Sequence, residues 1–161
     1  MRFILLLFMC ISLTGCDYSA SEESIPPMPE YFNFKLNYGF QGIQEIDTFS
    51  DTVVKDLVLD GTIETSISLE QDEMETIYQQ MMAMDIMEVE LEVDGSCRSE
   101  PEPVSRWKIV MNGETKSFHY TTLCPSNQLE KKFLQLEKTI QEMVEEKPEY
   151  KELPPIKGGY E

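Results

Sequence analysis

Positive charge is scarce in this sequence. It carries 13 Lys+Arg against 30 Asp+Glu, a formal net charge of −17 over 161 residues. Phosphate binding needs clustered Lys and Arg, so a nucleic-acid partner is not expected, nor is a polybasic membrane patch. Histidine and tryptophan occur once each, as His119 and Trp107, which excludes a His-rich metal centre. No G-x-S-x-G nucleophile elbow occurs. The spaced glycines Gly39-Phe40-Gln41-Gly42 lack the following Lys of a phosphate loop. Glu90, Glu92 and Asp94 with Gly95 imitate the start of a calcium loop. However, the twelfth position is Pro101 rather than a bidentate Glu, and the ninth is Arg98. The acids of that segment read instead as a solvated strand face. His119 falls on the strand face opposite Trp107 and beside Arg106, an exposed position rather than that of a catalytic base. We expect no catalytic residue, no cofactor and no metal site, and a non-enzyme.

Long hydrophobic runs are equally scarce. The clearest, Phe3 to Leu13, follows Arg2 and is broken only by Ser12. It is too short to cross a ~30 Å hydrocarbon core, which takes about 20 helical residues, and it reads as the apolar region of a signal peptide. It ends in Leu13-Thr14-Gly15-Cys16, which looks like the lipobox of bacterial lipoproteins. Such a box needs a thiol to carry diacylglycerol and small residues ahead of it, so cleavage is expected between Gly15 and Cys16, with lipidation at Cys16. Two acyl chains anchor stably where one is marginal. Cleavage removes Arg2 and no acid, leaving a mature charge of about −18. Asp17 resembles an inner-membrane retention signal in Gram-negative cells and carries no such meaning in Gram-positive ones. The sequence does not choose between them.

The remainder divides simply. Residues 16–30, the lipidated Cys and a polar, Pro-rich stretch without hydrophobic period, read as a flexible tether. Residues 31–150 read as one domain, and 151–161, with Pro154-Pro155 and Gly158-Gly159, as an extended C-terminal tail. Phe32, Phe34, Leu36 and Tyr38 alternate with polar residues and predict a strand. Gly39 and Gly42 punctuate a loop. Thr52–Leu59 and Thr62–Leu69 predict strands joined by a two-residue turn at Asp60-Gly61. Met74, Ile77, Tyr78 and Met81 predict a helix from about Ser68 to Met84, with Ser68 and Gln71 as its capping box. Its methionines suit core packing or an adaptable binding surface. Val89, Leu91 and Val93 predict a short strand. Asn112-Gly113 predicts a hairpin placing Trp107 opposite Phe118 and Ser105 opposite Tyr120. A final helix is predicted from Ser126, with Leu129, Phe133, Leu136, Ile140 and Met143 as its stripe and Pro148 as its stop. The fold class is therefore α+β: an antiparallel sheet with two amphipathic helices on one face, in a ββαββα-like order.

Once Cys10 leaves with the signal peptide and Cys16 takes lipid, Cys97 and Cys124 remain. They bracket the Trp107–Phe118 hairpin and are expected to form a disulfide, with two free thiols as the alternative. The chain-entropy estimate for such a loop is ~3.5 kcal/mol. No C-x-x-C redox motif is present.

The whole chain resembles small uncharacterised lipoproteins of bacillus-type Gram-positive bacteria. The likeness rests on Leu13-Thr14-Gly15-Cys16, on Asp47-Thr48-Phe49 followed by Lys55-Asp56-Leu57-Val58, on the Glu73-to-Tyr78 segment and on Glu149-Tyr150-Lys151-Glu152-Leu153-Pro154. In outline the element order is also similar to small ββαββα domains and, distantly, to bacterial inhibitors of thermolysin-type metalloproteases. The resemblance implies a lipid anchor at the cell membrane, facing the extracytoplasmic side, and no particular activity. From the anchor, the short tether and the single small domain we expect a non-enzymatic protein-binding module. Its partners would be the membrane, through the N-terminal lipid, and an envelope protein of unknown identity. The alternatives are an inhibitor of a secreted protease and an acidic surface that binds cations or cationic peptides.

Overall fold

The computed structural model describes residues 25–90, 99–123, 125 and 127–160. The elements are β1 (Asn33–Tyr38), β2 (Gln44–Asp47), β3 (Thr52–Asp56), β4 (Thr62–Ser66), α1 (Gln71–Met82), β5 (Val104–Met111), β6 (Glu114–Thr121), α2 (Gln128–Glu146) and α3 (Pro148–Lys151). The strands form a six-stranded sheet in the order β4-β3-β2-β1-β5-β6. Every neighbouring pair is antiparallel. The fold is thus α+β, as the hydrophobic periods predict.

The alternation in β1 decides the layering. Phe32, Phe34, Leu36 and Tyr38 are buried, and with Ile46, Val53, Trp107, Ile109, Met111 and Tyr120 they form the inner sheet face. Ile77, Tyr78 and Met81 of α1 and Phe133, Leu136, Ile140 and Val144 of α2 cover it. Aromatic contacts stitch the layers: Phe32 meets Tyr78 edge-on with ring centroids 5.4 Å apart, and Phe118 meets Phe133 at 5.1 Å. Every methionine among the described residues belongs to this core or packs against it, which supports the packing role of the α1 stripe.

The β5–β6 hairpin forms in the expected register, with Trp107 opposite Phe118 and Ser105 opposite Tyr120. Asn112 and Gly113 take φ of +52° and +80°, the left-handed pair that a two-residue turn requires. The β3–β4 hairpin departs from expectation. Its last pair is Asp56 with Thr62, so residues 57–61 form a longer loop in place of a two-residue Asp60-Gly61 turn. This register puts Ile63 opposite Lys55 and Thr65 opposite Val53. Val53 and Ile67 are thereby both buried, and the face that is buried governs the register.

Other boundaries shift for local reasons. Strand β2 falls where only a loop was expected, just after the Gly39–Gly42 turn. Helix α1 starts at Gln71 rather than near Ser68, because the Glu70 N–H donates to the Glu73 carboxylate at 2.7 Å and closes the box at Glu70. It ends at Met82 in a turn in which the Ile86 N–H donates to Met81 O at 3.2 Å and Asp85 has φ +51°. Helix α2 starts at Gln128, with Asn127 Oδ1 accepting from the Glu130 N–H at 2.8 Å. Ser126, the predicted start, lies outside the described residues, as do most of the predicted strand around Leu91 and the Glu90–Gly95 segment. Pro148 ends α2 as expected and opens α3, whose Tyr150 is buried.

The segments read as a flexible tether and an extended tail both make contacts where they are described. Met28 packs against the core. Lys157 forms a parallel bridge with Val58, donating its N–H to Leu57 O at 3.3 Å and accepting from Leu59 N–H at 3.2 Å. The Lys157 ammonium meets Asp60 at 2.8 Å, and the Tyr160 hydroxyl donates to Asp56, whose other oxygen accepts from the Val58 N–H at 2.8 Å. Residues 154–160 are thus a strap docked on the β3–β4 loop.

Candidate functional site

The residues expected to carry chemistry, Gly15, Cys16, Cys97 and Cys124, lie outside the described residues. The hairpin bracketed by the last two is described down to its base. There Val104 pairs with Thr121, and the Thr122 N–H donates to Pro103 O at 3.1 Å. His119 stands opposite Arg106 on the uncovered face of the sheet, with Ser117 on the same face. The two are exposed, and strand alternation turns them away from the core. On that face Lys35 is held between Glu45 at 2.6 Å and Asp47 at 3.2 Å, and Asn37 donates to Glu45 at 2.8 Å.

A buried polar cluster, unanticipated from the sequence, joins α2 to the sheet. Glu137 lies within the apolar stripe of α2, and its Oε2 accepts from the hydroxyls of Ser105 and, at 3.3 Å, Tyr120. Gln141 donates to its other oxygen at 3.1 Å. Burial pushes the Glu137 carboxyl above its usual range, against the three hydrogen bonds that favour the anion. The Tyr120 hydroxyl is raised by burial and by the neighbouring Glu137 charge. Tyr38, buried on the same face, is raised by burial and then by Tyr150, Glu145 and Glu137. Beside them lies the buried Trp107, whose indole interacts with the Tyr120 hydroxyl and opposes the rise in its pKa. The cluster lines neither of the two cavities described in the structure. Its geometry fixes the height and rotation of α2 over β5 and β6. The sequence held a signal for it, since Glu137 stands four residues after Phe133 and three before Ile140, inside the buried stripe.

A small cleft opens where the α1–Glu88 turn meets the tip of the β5–β6 hairpin. It encloses about 200 Å³. Tyr78, Met82, Ile86, Met87 and Met111 make its floor, Pro26 of the entering chain contributes one wall, and Asp85, Glu88 and Glu114 stand at its edge. No described base forms an ion pair with these three acids. The thioether side chains are unbranched and polarizable, so the floor can reshape around what enters it. A second cavity of about 220 Å³ lies between α1 and α2, lined by Gln80, Ala83, Met84, Lys132 and Gln135. It has a base in its wall and no acid.

In comparison with known proteins, no family model matches the chain and no curated protein matches it.

Proposed function

We propose that this chain is a membrane-anchored extracytoplasmic lipoprotein acting as a non-enzymatic protein-binding module. One observation carries the anchor: an apolar run of signal-peptide length passes directly into Leu13-Thr14-Gly15-Cys16. Lipid on Cys16 would hold the domain close, since the ten or so residues from Cys16 to Pro26 reach at most ~35 Å. The binding role is supported by the methionine-floored cleft, which opens beside the point where the tether enters the domain. The disulfide between Cys97 and Cys124 belongs to this reading, and the side-by-side strands at the hairpin base favour it. Among the described residues no helix is long and apolar enough to cross a membrane. The acidic edge of the cleft favours the cationic-peptide alternative over protease inhibition, and its chemistry is taken up below.

The test is fractionation of cells expressing the full chain beside its Cys16→Ala variant, with labelled fatty acid in the medium. The native chain is expected in the membrane fraction carrying label. The variant is expected unlabelled and uncleaved, with a mass that retains residues 1–15. Label in the variant, or no label on the native chain, would refute the anchor. Mass measurement after alkylation without reductant reads the disulfide.

A further inference from the structure

Resting on the binding-module reading, we infer that the cleft between the α1–Glu88 turn and the β5–β6 hairpin tip receives one bulky apolar side chain from a peptide segment flanked by Lys or Arg.

Size sets the first limit. Sites for whole small molecules run to about 300–1,000 Å³, whereas this cleft holds about 200 Å³. That volume suits a single anchoring side chain of the kind that dominates protein interfaces. The lining is mainly apolar surface and soft sulfur, through Ile86, Met82, Met87 and Met111, so the inserted group is hydrophobic.

Charge sets the second limit. The exposed acids Asp85, Glu88 and Glu114 are among the residues lining the cleft, and among the described residues no base lines it. They do not gather into a metal site, because among the described residues no group of three or more His, Cys, Asp or Glu could hold a metal ion. Carried on two elements, the hairpin tip for Glu114 and the turn after α1 for Asp85 and Glu88, they favour cations beside the inserted group. The same charges count against other occupants. The chain's own segment 17–24 carries Asp17, Glu22 and Glu23 and no base. A second copy brings a net charge of −17. An anionic bilayer surface is repelled in the same way.

The probe is a short fluorescein-labelled peptide with one leucine flanked by lysines in a Gly–Ser background, titrated into the full chain at physiological ionic strength. Screening over about 8 Å weakens attraction that is merely long-range under those conditions. Saturable one-to-one binding is expected, lost when the leucine becomes glycine or the lysines become glutamates. The triple variant Asp85→Asn, Glu88→Gln, Glu114→Gln is expected to weaken it about tenfold. Its fold is preserved, because Asn accepts the left-handed backbone of residue 85. Met87→Gln is expected to weaken binding with the acids intact. No binding, indifference to the triple variant, or equal binding of the leucine-free peptide overturns the inference. So does protection of residue 87 by anionic vesicles alone, which would name an acyl chain as the occupant.

Photo-crosslinkers at positions 87 and 119 of the anchored protein separate the two levels of the argument. A crosslink at 87 that the leucine–lysine peptide displaces supports the cleft. An envelope protein caught at 119 and not at 87 overturns the cleft and leaves the binding module standing. No envelope protein at either position overturns both.

Discussion

The two hairpins carry nearly the same turn cue and resolve it differently. Asn112-Gly113 turns the chain in two residues, with Met111 paired to Glu114. Asp60-Gly61 does not, and pairing stops at Asp56 and Thr62. The glycines are alike, with φ of +80° at Gly113 and +76° at Gly61. The difference lies in what flanks them. On β5 and β6 a two-residue turn puts Trp107, Ile109, Met111 and Tyr120 all on the inner face, so turn and core agree. On β3 and β4 a two-residue turn would set Ile67 opposite Val54 and away from Val53. The core prevails, the register moves, and the surplus residues are taken up by contacts with Lys157 and Tyr160. A turn dipeptide proposes a register, and the buried face accepts or refuses it.

The largest test of this comparison is Trp107→Ala, which empties the centre of the agreeing hairpin. A loss of about 3–5 kcal/mol is expected in denaturant unfolding, whereas Ile63→Ala, half-buried in the other hairpin, is expected to cost far less. Next come Gly113→Ala and Gly61→Ala. Neither added Cβ would meet an atom within 4 Å, so each is expected to lose only the left-handed strain of about 1–2 kcal/mol. A smaller loss at Gly61 would show that the longer loop relaxes around the strain.

Tyr160→Phe removes the hydroxyl that Asp56 accepts, with an expected loss near 1 kcal/mol and increased proteolysis at residues 57–61. The last test is a slope. Because the Glu137 carboxyl is raised on folding, the folded state binds more protons than the unfolded one between the two pKa values. Its contribution to stability is therefore full below the unfolded-state value and declines as pH rises through the folded one. Glu137→Gln keeps an acceptor and loses the titration. The stability difference between native and variant is expected to move in the variant's favour as pH rises over that window. A constant difference would refute the assignment.

These cases show why some features could be read from the residues and others not. The β5–β6 register was legible because a two-residue turn and two alternating strands each demanded it. Strand β2 was hidden because Ile46 is its one buried residue, and a single apolar position has no period. The strap was hidden because Pro154-Pro155 and Gly158-Gly159 have the composition of a tail, while its attachment depends on Asp56, about a hundred residues away in sequence. For the cleft, the methionine stripe of α1 gave little signal, since it packs on the core and only Met82 of it lines the cleft. The acids that line it were lost among the 30 in the chain, and only the fold brings Glu114 into one cleft with Asp85 and Glu88.

The central strand has a consequence for the order of assembly. β1 lies between β2, its near neighbour in the chain, and β5, where Phe34 meets Ile109 about 75 residues further on. Closing so long a loop costs about 4 kcal/mol of chain entropy beyond a constant, whereas the β5–β6 hairpin closes across two residues. That hairpin closes early for little entropy, and the half-sheet β1–β4 likewise pairs only near neighbours. The slow event is then the meeting of two preformed ribbons along β1 and β5. Until the second half arrives, β1 is the open edge of the first half-sheet.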